Sequence, residues 1–497
     1  MGIVVRQASW NAALAYVGLA LGFVNVVLLY PKILPEDQFG LTRLIVSIAT
    51  IAAQVAQLGL DNTVIRYFPY FRDTERRHNG LLALVLGIGT AGAFVAMFVL
   101  WAFHGYFALW FGAADGLYAE HGITVLPLVL SEVYFFLFRS YSRSVHRSIA
   151  PTFSREFLLR VLQMGLILLQ AAYHFDLRTF MLLYVGTFVI STIALVFDLW
   201  RSDSLHFGVD RLRVPKRLGR SMSRYAMFTF GSGMAVIALG NIDQLMVGAM
   251  LKNGLDNVAY YAVAFYIASV ILIPARALVL PSMPILAEAW KKRDHVKIDM
   301  IYRRSAAIQL VIGIYLFLCL WSGVDALFSL MKPGYALARQ ALLILAAVNV
   351  INLAGGLSGG IVATSRSYWF DAVSGAVLVV LNVVLDFVFI KLFGLTGAAW
   401  SSLVSFSVVL AWRMAFLHRK HGLWPFDAST ARTALMGVLL AALLWFMPTV
   451  GALWTNAIVR VVLITALFWP AVYFLRLAPD LSEQAATLKQ RFINKSR

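Results

Sequence analysis

Eight charged residues stand inside or at the ends of long apolar runs in this chain: Arg43, Arg66, Arg160 and Arg276, and Asp61, Glu132, Asp243 and Asp386. A charge at a bilayer centre costs roughly 2.5–3.5 kcal/mol on the insertion scale, so such residues usually face a cavity, pair or serve a function. The two types do different chemistry. A guanidinium is planar and stays charged, and its donors grip phosphate oxygens two at a time. A buried carboxylate pairs with a base, or titrates and couples to H+ or Na+.

Arg276 lies in Ile271-Leu-Ile-Pro-Ala-Arg-Ala-Leu-Val-Leu-Pro-Ser-Met-Pro284. Counted from Val258, it is ~27 Å along a helix. Pro274, Pro281 and Pro284 interrupt the backbone ladder around it. Carbonyls freed in lipid need protein or water to satisfy them. Arg276 therefore reads as a cavity-facing anion site, with a snorkelling or paired arginine as the alternative. Asp243 sits in Gly240-Asn-Ile-Asp-Gln-Leu-Met-Val-Gly248. Its depth differs from that of Arg276 by ~13 Å on an ideal helix, too far for a direct pair. Asp243 reads equally as a structural pair or a coupling group, while Glu132 and Asp386 read first as structural. Arg460 reads as a lipid-facing or packing residue.

The stretch Gln57-Leu-Gly-Leu-Asp-Asn-Thr-Val-Ile-Arg-Tyr-Phe-Pro69 raises a separate question. Asp61 and Arg66 are about 140° apart on an ideal helix, so they do not form an intrahelical pair. One or both must face another helix or a guest. Arg72, Arg76 and Arg77 beyond them read as topology markers.

Chemistry that the chain lacks narrows its class. It has no G-x-x-x-x-G-K-[ST] phosphate loop, no H-E-x-x-H and no Cys/His ligand spacing. The lone Cys319 rules out an internal disulfide. The glycines at 355, 356, 359 and 360 lie in an apolar run and read as small-residue helix packing. No outer connector exceeds about twenty residues, which leaves little room for a catalytic loop.

Which elements position these residues follows from composition. The chain is 61% hydrophobic and 13% charged over 497 residues. Soluble chains carry about 25% charged residues, so the solvent here is a bilayer. Fourteen apolar windows of ~20 residues recur, from 9–31 to 453–475. The first is longer than a signal-peptide core and shows no cleavage site, so it is expected to be retained. Of the 42 Lys and Arg, 33 fall in one alternating set of connectors and 7 in the other, Lys32 and Lys252 among them. The positive-inside rule then places both termini in the cytoplasm. The same asymmetry accounts for the net charge of +18 without nucleic acid as a partner.

The basic connector 201–221 divides the chain. An N-terminal six-helix lobe is expected over 1–200, a second over 222–425, and two extra helices with a cytoplasmic tail over 426–497. In the tail, Leu481, Ala485, Leu488 and Phe492 share one helical face, an amphipathic pattern that lies on a membrane surface. Two acidic turns, at Leu34–Leu41 and Leu251–Tyr261, hint at a repeat of one six-span unit in parallel orientation.

Four stretches carry a family resemblance: Gly59–Pro69, Asn241–Gly248, Tyr260–Ala268, and Pro281–Arg293 with its sequence Pro-Ser-Met-Pro-Ile-Leu-Ala-Glu-Ala-Trp-Lys-Lys-Arg. Their order and spacing resemble the polysaccharide (O-antigen/exopolysaccharide) flippase branch of the multidrug/oligosaccharidyl-lipid/polysaccharide exporter superfamily. The resemblance implies an all-α polytopic membrane fold of about fourteen helices, two six-helix bundles facing as a V plus two C-terminal helices. It implies no enzyme, but alternating access carrying an undecaprenyl-diphosphate-linked oligosaccharide between leaflets of the bacterial inner membrane. Arg43, Arg66, Arg160 and Arg276 match positions that line a basic cavity. No cofactor is expected beyond a coupling ion, with H+ and Na+ both open. Expected partners are the lipid-linked substrate, membrane lipids, a polysaccharide polymerase and a chain-length regulator. Two alternatives share the fold: a cation-coupled multidrug exporter and a peptidoglycan lipid-precursor flippase. A membrane glycosyltransferase or polymerase is a third, from another class.

Overall fold

The computed structural model describes residues 2–73, 80–112, 116–205, 215–475 and 477; side chains at 2–9, 112, 232, 235, 236, 238, 239, 274, 276, 277, 280 and 281 are not described. The amphipathic tail from Asp480, the basic pair Arg76 and Arg77, and 206–214 of the linker lie outside the described residues. All regular structure among the described residues is helical.

Among the described residues, thirteen helical stretches are long and apolar enough to cross a membrane, from Trp10–Ile33 to Leu453–Phe474. The expected seventh span is one further helix, Lys216–Met250, of 35 residues. At ~1.5 Å per residue it runs ~52 Å, beyond a ~30 Å hydrocarbon core. Its first turns carry Lys216, Arg217, Arg220 and Arg224, and its apolar part follows them. This helix takes the place of the seventh of the fourteen expected spans. Large apolar side chains face outward along these helices, as lipid contact requires; Phe94, Val95 and Phe98 are each more than half exposed.

The second, eighth and tenth spans each divide into separate helices where the sequence reads as one run. The second is the helix Glu36–Ala56, which breaks and restarts as Leu60–Phe71. The break uses two left-handed residues, Leu58 at φ 51° and Gly59 at φ 75°. A Cβ on Gly59 would run into the Ala226 carbonyl, so glycine serves both the turn and the close packing. The eighth span is two helices, Gly254–Ser269 and Ile273–Lys292, joined by a 3-10 turn at Val270–Leu272. Pro274 takes the first turn of the second helix, where its missing N–H costs little. The tenth span ends at Ala354, and the glycine run opens a turn before the short helix Ser358–Thr364. The expected small-residue packing face is therefore a helix break: Gly356 adopts φ 53°, against the Ala306 backbone.

Contacts group the chain into two compact units, 1–263 with 386–395, and 264–385 with 396–497. In the first, Glu36–Ala56 and Val125–Ser144 are the most enclosed spans, with Phe39, Ile45, Leu128 and Phe135 fully buried. Gly40 lies so close to the Leu255 backbone that a side chain would not fit. In the second unit, the last two spans pack on the ninth. Leu310, Val311, Ile314 and Leu318 of His295–Phe328 meet Met436, Leu444, Ile464 and Phe468. The two acidic turns share a backbone device: in each, the preceding helix ends on an extended leucine, Leu34 or Leu251.

Candidate functional site

The first unit gathers Arg43 and Arg160 around one buried tyrosine. Tyr30 is fully buried at the end of the first span and stacks on Phe39, with ring centroids 5.1 Å apart. Arg43 lies one helical turn beyond Phe39, so its side chain crosses both rings, 5.0 Å from the Phe39 centroid and 5.5 Å from that of Tyr30. This aromatic shelf holds the guanidinium by its face. The Arg43 Nε and Nη2 atoms are buried and have no hydrogen-bond partner among the described residues, and neither do the Tyr30 and Tyr184 hydroxyls. Arg43, Arg160 and Tyr184 all act electrostatically on Tyr30.

Two π-helical turns frame this cluster. Val24–Leu29 interrupts the first span and Phe153–Leu158 the fifth. Asn25, in the first of these, donates through Nδ2 to the Arg160 carbonyl at 2.9 Å. Gly18 packs on the backbone of Glu156, in the second. Each π-turn thus touches the other's span, and Arg160 lies two residues past the end of the second. Single π-turns inside α-helices are frequent at functional sites.

A second charged cluster lies along the fourth and fifth spans. Glu132 is 1% exposed, and Arg155 donates through Nη2 to its Oε1. Arg155 also lies over Phe135 and Phe188, at 4.8 and 5.0 Å. Arg139 covers Phe136 at 4.7 Å. Asp61 interacts electrostatically with Arg139 and Arg143 and accepts from the Asn62 amide at 2.7 Å. Arg66 is exposed and does not pair with Asp61; its guanidinium stacks 4.2 Å above the ring of Tyr225.

The remaining acids are deeply buried. Asp243 has no exposure and accepts from the Tyr261 hydroxyl at 2.5 Å. Asp386 is equally buried on the eleventh span. The Arg276 side chain lies outside the described residues; its backbone belongs to Ile273–Lys292.

Three charged contacts escaped the reading from sequence. Arg155, one basic residue among many in the connectors, pairs with Glu132. Arg413 pairs with Asp371 at 3.0 Å and with Ser374 at 2.9 Å. Arg147 grips Asp198 with two donors, at 2.9 and 2.8 Å, beside a cavity of about 560 Å³ lined by Ile149, Phe153 and Phe197. The run of arginines at 139, 143, 147, 155 and 160 is a signal of convergence in the sequence, but nothing local reveals the acids they meet. No group of His, Cys, Asp and Glu suited to a metal occurs among the described residues.

With this geometry in hand, comparison with known proteins sets its class. The family model described as "Polysaccharide biosynthesis protein" matches residues 4–290, more than half of the chain. Comparison with curated proteins gives no match. Among solved structures, the chain resembles the lipid II flippase MurJ in an inward closed conformation, with a TM-score of 0.70 and 10% identity over 94% of this chain and 99% of that one. It also resembles an inward-facing multidrug resistance MATE family transporter of the MOP superfamily, at 0.63 and 13% identity over 84% and 98%. The Vibrio cholerae MATE transporter VcmN in its bent form follows at 0.53 and 12% over 88% and 99%. At these identities the likeness is one of fold. On a family match that spans more than half of the chain, the chain belongs to the polysaccharide biosynthesis protein family.

Proposed function

We propose that this chain is a flippase that moves an undecaprenyl-diphosphate-linked oligosaccharide from the inner to the outer leaflet of the bacterial inner membrane, with both termini cytoplasmic. The convergence of Arg43 and Arg160 on Tyr30 carries the reading. It sets two guanidinium charges on one buried ring inside an apolar bundle, with the Arg43 Nε and Nη2 lacking an acceptor among the described residues, an arrangement a diphosphate satisfies. A cationic drug would be repelled by the same pair. Arg276 and Arg66 complete the proposed basic path. The chain works by alternating access of two six-helix lobes, 1–200 and 222–425, joined by the 201–221 linker. Asp243 and Asp386 are the proposed coupling carboxylates for H+ or Na+, while Glu132 and Asp61 hold arginines in place. A polysaccharide polymerase and a chain-length regulator are the proposed partners.

The likeness to a lipid II flippase supports a second substrate with the same diphosphate, the peptidoglycan precursor. One experiment separates the readings: translocation of defined lipid-linked saccharides, lipid II included, by the purified chain in proteoliposomes, with and without H+ and Na+ gradients. Arg43→Gln and Arg160→Gln should each slow translocation at least tenfold at normal expression. Wild-type rates in both variants would sink the assignment.

A further inference from the structure

We propose that the second compact unit carries a separate site for an anionic, phosphate-bearing lipid headgroup, built on Arg339, Arg460 and the indoles of Trp321 and Trp445. A cavity of about 140 Å³ is lined by these four residues with Ser322 and Leu444. At ~30 Å³ per water it holds the volume of four or five waters, the scale of one phosphate group rather than a sugar chain. Its walls come from His295–Phe328, Arg339–Ala354, Ala428–Phe446 and Leu453–Phe474, so the last two spans complete it.

The charges around the cavity do not cancel. Arg339 is matched by Asp325, Nε to Oδ1 at 2.6 Å and Nη2 to Oδ2 at 3.1 Å. Arg460 uses Nη2 on the Met447 carbonyl at 2.8 Å. Its Nε is buried and has no hydrogen-bond partner among the described residues. One positive charge is left over, with a donor that has lost water and gained no acceptor. Leaving such a donor unmade is expensive, and an anionic oxygen satisfies both the charge and the donor. The Ser322 hydroxyl already donates to the Leu318 carbonyl at 2.8 Å, so it forms wall rather than ligand.

The cavity's surroundings point to a lipid as the source. Trp321 and Trp445 lie with ring centroids 6.4 Å apart, and Trp445 is 73% exposed. Phe446 beside it is 82% exposed. Tryptophans of this kind sit at the level of lipid headgroups. The cavity also lies near helix ends, with Arg460 ~10 Å into its span. In the topology proposed above this is the outer interface. The inference takes its leaflet from that reading, but its chemistry stands apart from it.

The purified full chain in detergent is titrated with lipids and read by native mass spectrometry. The probes are phosphatidylglycerol, undecaprenyl phosphate, phosphatidylcholine and inorganic phosphate. One saturable site should take either anionic lipid at least tenfold more tightly than phosphatidylcholine. Preference for one of the two assigns the source as bulk lipid or carrier lipid. Arg460→Gln should weaken that binding at least tenfold and Arg460→Lys less. Ser322→Phe fills the cavity without touching a charge and should match Arg460→Gln. Wild-type affinity in both Arg460→Gln and Ser322→Phe overturns the site, and inorganic phosphate binding as tightly as the lipids overturns its lipid nature. Loss of saccharide translocation in the wild type would overturn the flippase reading and leave this site standing.

Discussion

Arg66 points at Tyr225, its guanidinium 4.2 Å from the ring centroid. The restarted helix Leu60–Phe71 is thereby tied to the long helix Lys216–Met250. Tyr67 adds a second tie through its hydroxyl, 2.8 Å from that of Ser221. A cation–π contact at an exposed site contributes about 0.5–1 kcal/mol. Arg66→Ala and Tyr225→Leu should each lower thermal stability in detergent by about that much, and the double variant by little more than either. Full additivity in that cycle would mean that the stacking is not an interaction.

Glu132 and Arg155 form the buried pair of the first unit. Removing one member of such a pair costs about 3–5 kcal/mol, because the other is left charged and desolvated. Glu132→Ala should therefore destabilise strongly. Glu132→Leu combined with Arg155→Met should recover most of the loss. Unfolding curves of the three variants by intrinsic fluorescence check this; a double variant no better than the single contradicts it.

Gly59 answers to two demands at once, a left-handed backbone and a backbone neighbour. An L side chain in that conformation costs about 1–2 kcal/mol before any clash is counted. Gly59→Ala should exceed that figure, whereas Gly87→Ala, with open space around it and no positive φ, should be neutral or mildly stabilising. Equal melting temperatures for the two variants would contradict the argument.

Asp427 caps the thirteenth span in a capping box: Thr430 donates its amide to Oδ1 at 2.9 Å and its hydroxyl accepts from the Asp427 amide. Partial burial pushes the carboxyl up, but the hydrogen bonds from Thr430 and Ser429 outweigh it and the pKa is lowered. A depressed folded-state pKa means stability that is present above the unfolded value, near 3.9, and lost as pH falls through the folded one. Asp427→Ala should cost about 1 kcal/mol at pH 7. The gap between wild type and variant should close below pH ~4. A gap that persists unchanged at pH 3 would show that the carboxylate is not the cap.

The helices were legible because lipid demands long apolar windows and arginine counts fix their alternation. Breaks inside them were legible only in part. Pro274 marked the eighth span, but the second breaks at Leu58 and Gly59, where a leucine takes a left-handed conformation that no propensity foretells. Pairing was the least legible. Glu132 and Arg155 lie 23 residues apart and on different helices, so no periodicity links them. Arg66 and Tyr225 are farther apart still. Intramembrane charge singled out Arg43 and Arg160, since burial of charge is costly wherever the partner sits. Tyr30, the residue they share, is one aromatic among many in the sequence.

The π-turns at Val24–Leu29 and Phe153–Leu158 have a consequence for how such a chain varies. Each holds one residue more than a regular helix needs there. A residue added to a regular helix turns everything beyond it by about 100°. A widened turn absorbs it locally, so losing a single residue from either turn would restore an unbroken helix with its flanks in place. In the first span Gly18 would keep its seat on the Glu156 backbone. The two turns are therefore places where the first and fifth spans can differ in length by one residue without changing which faces meet.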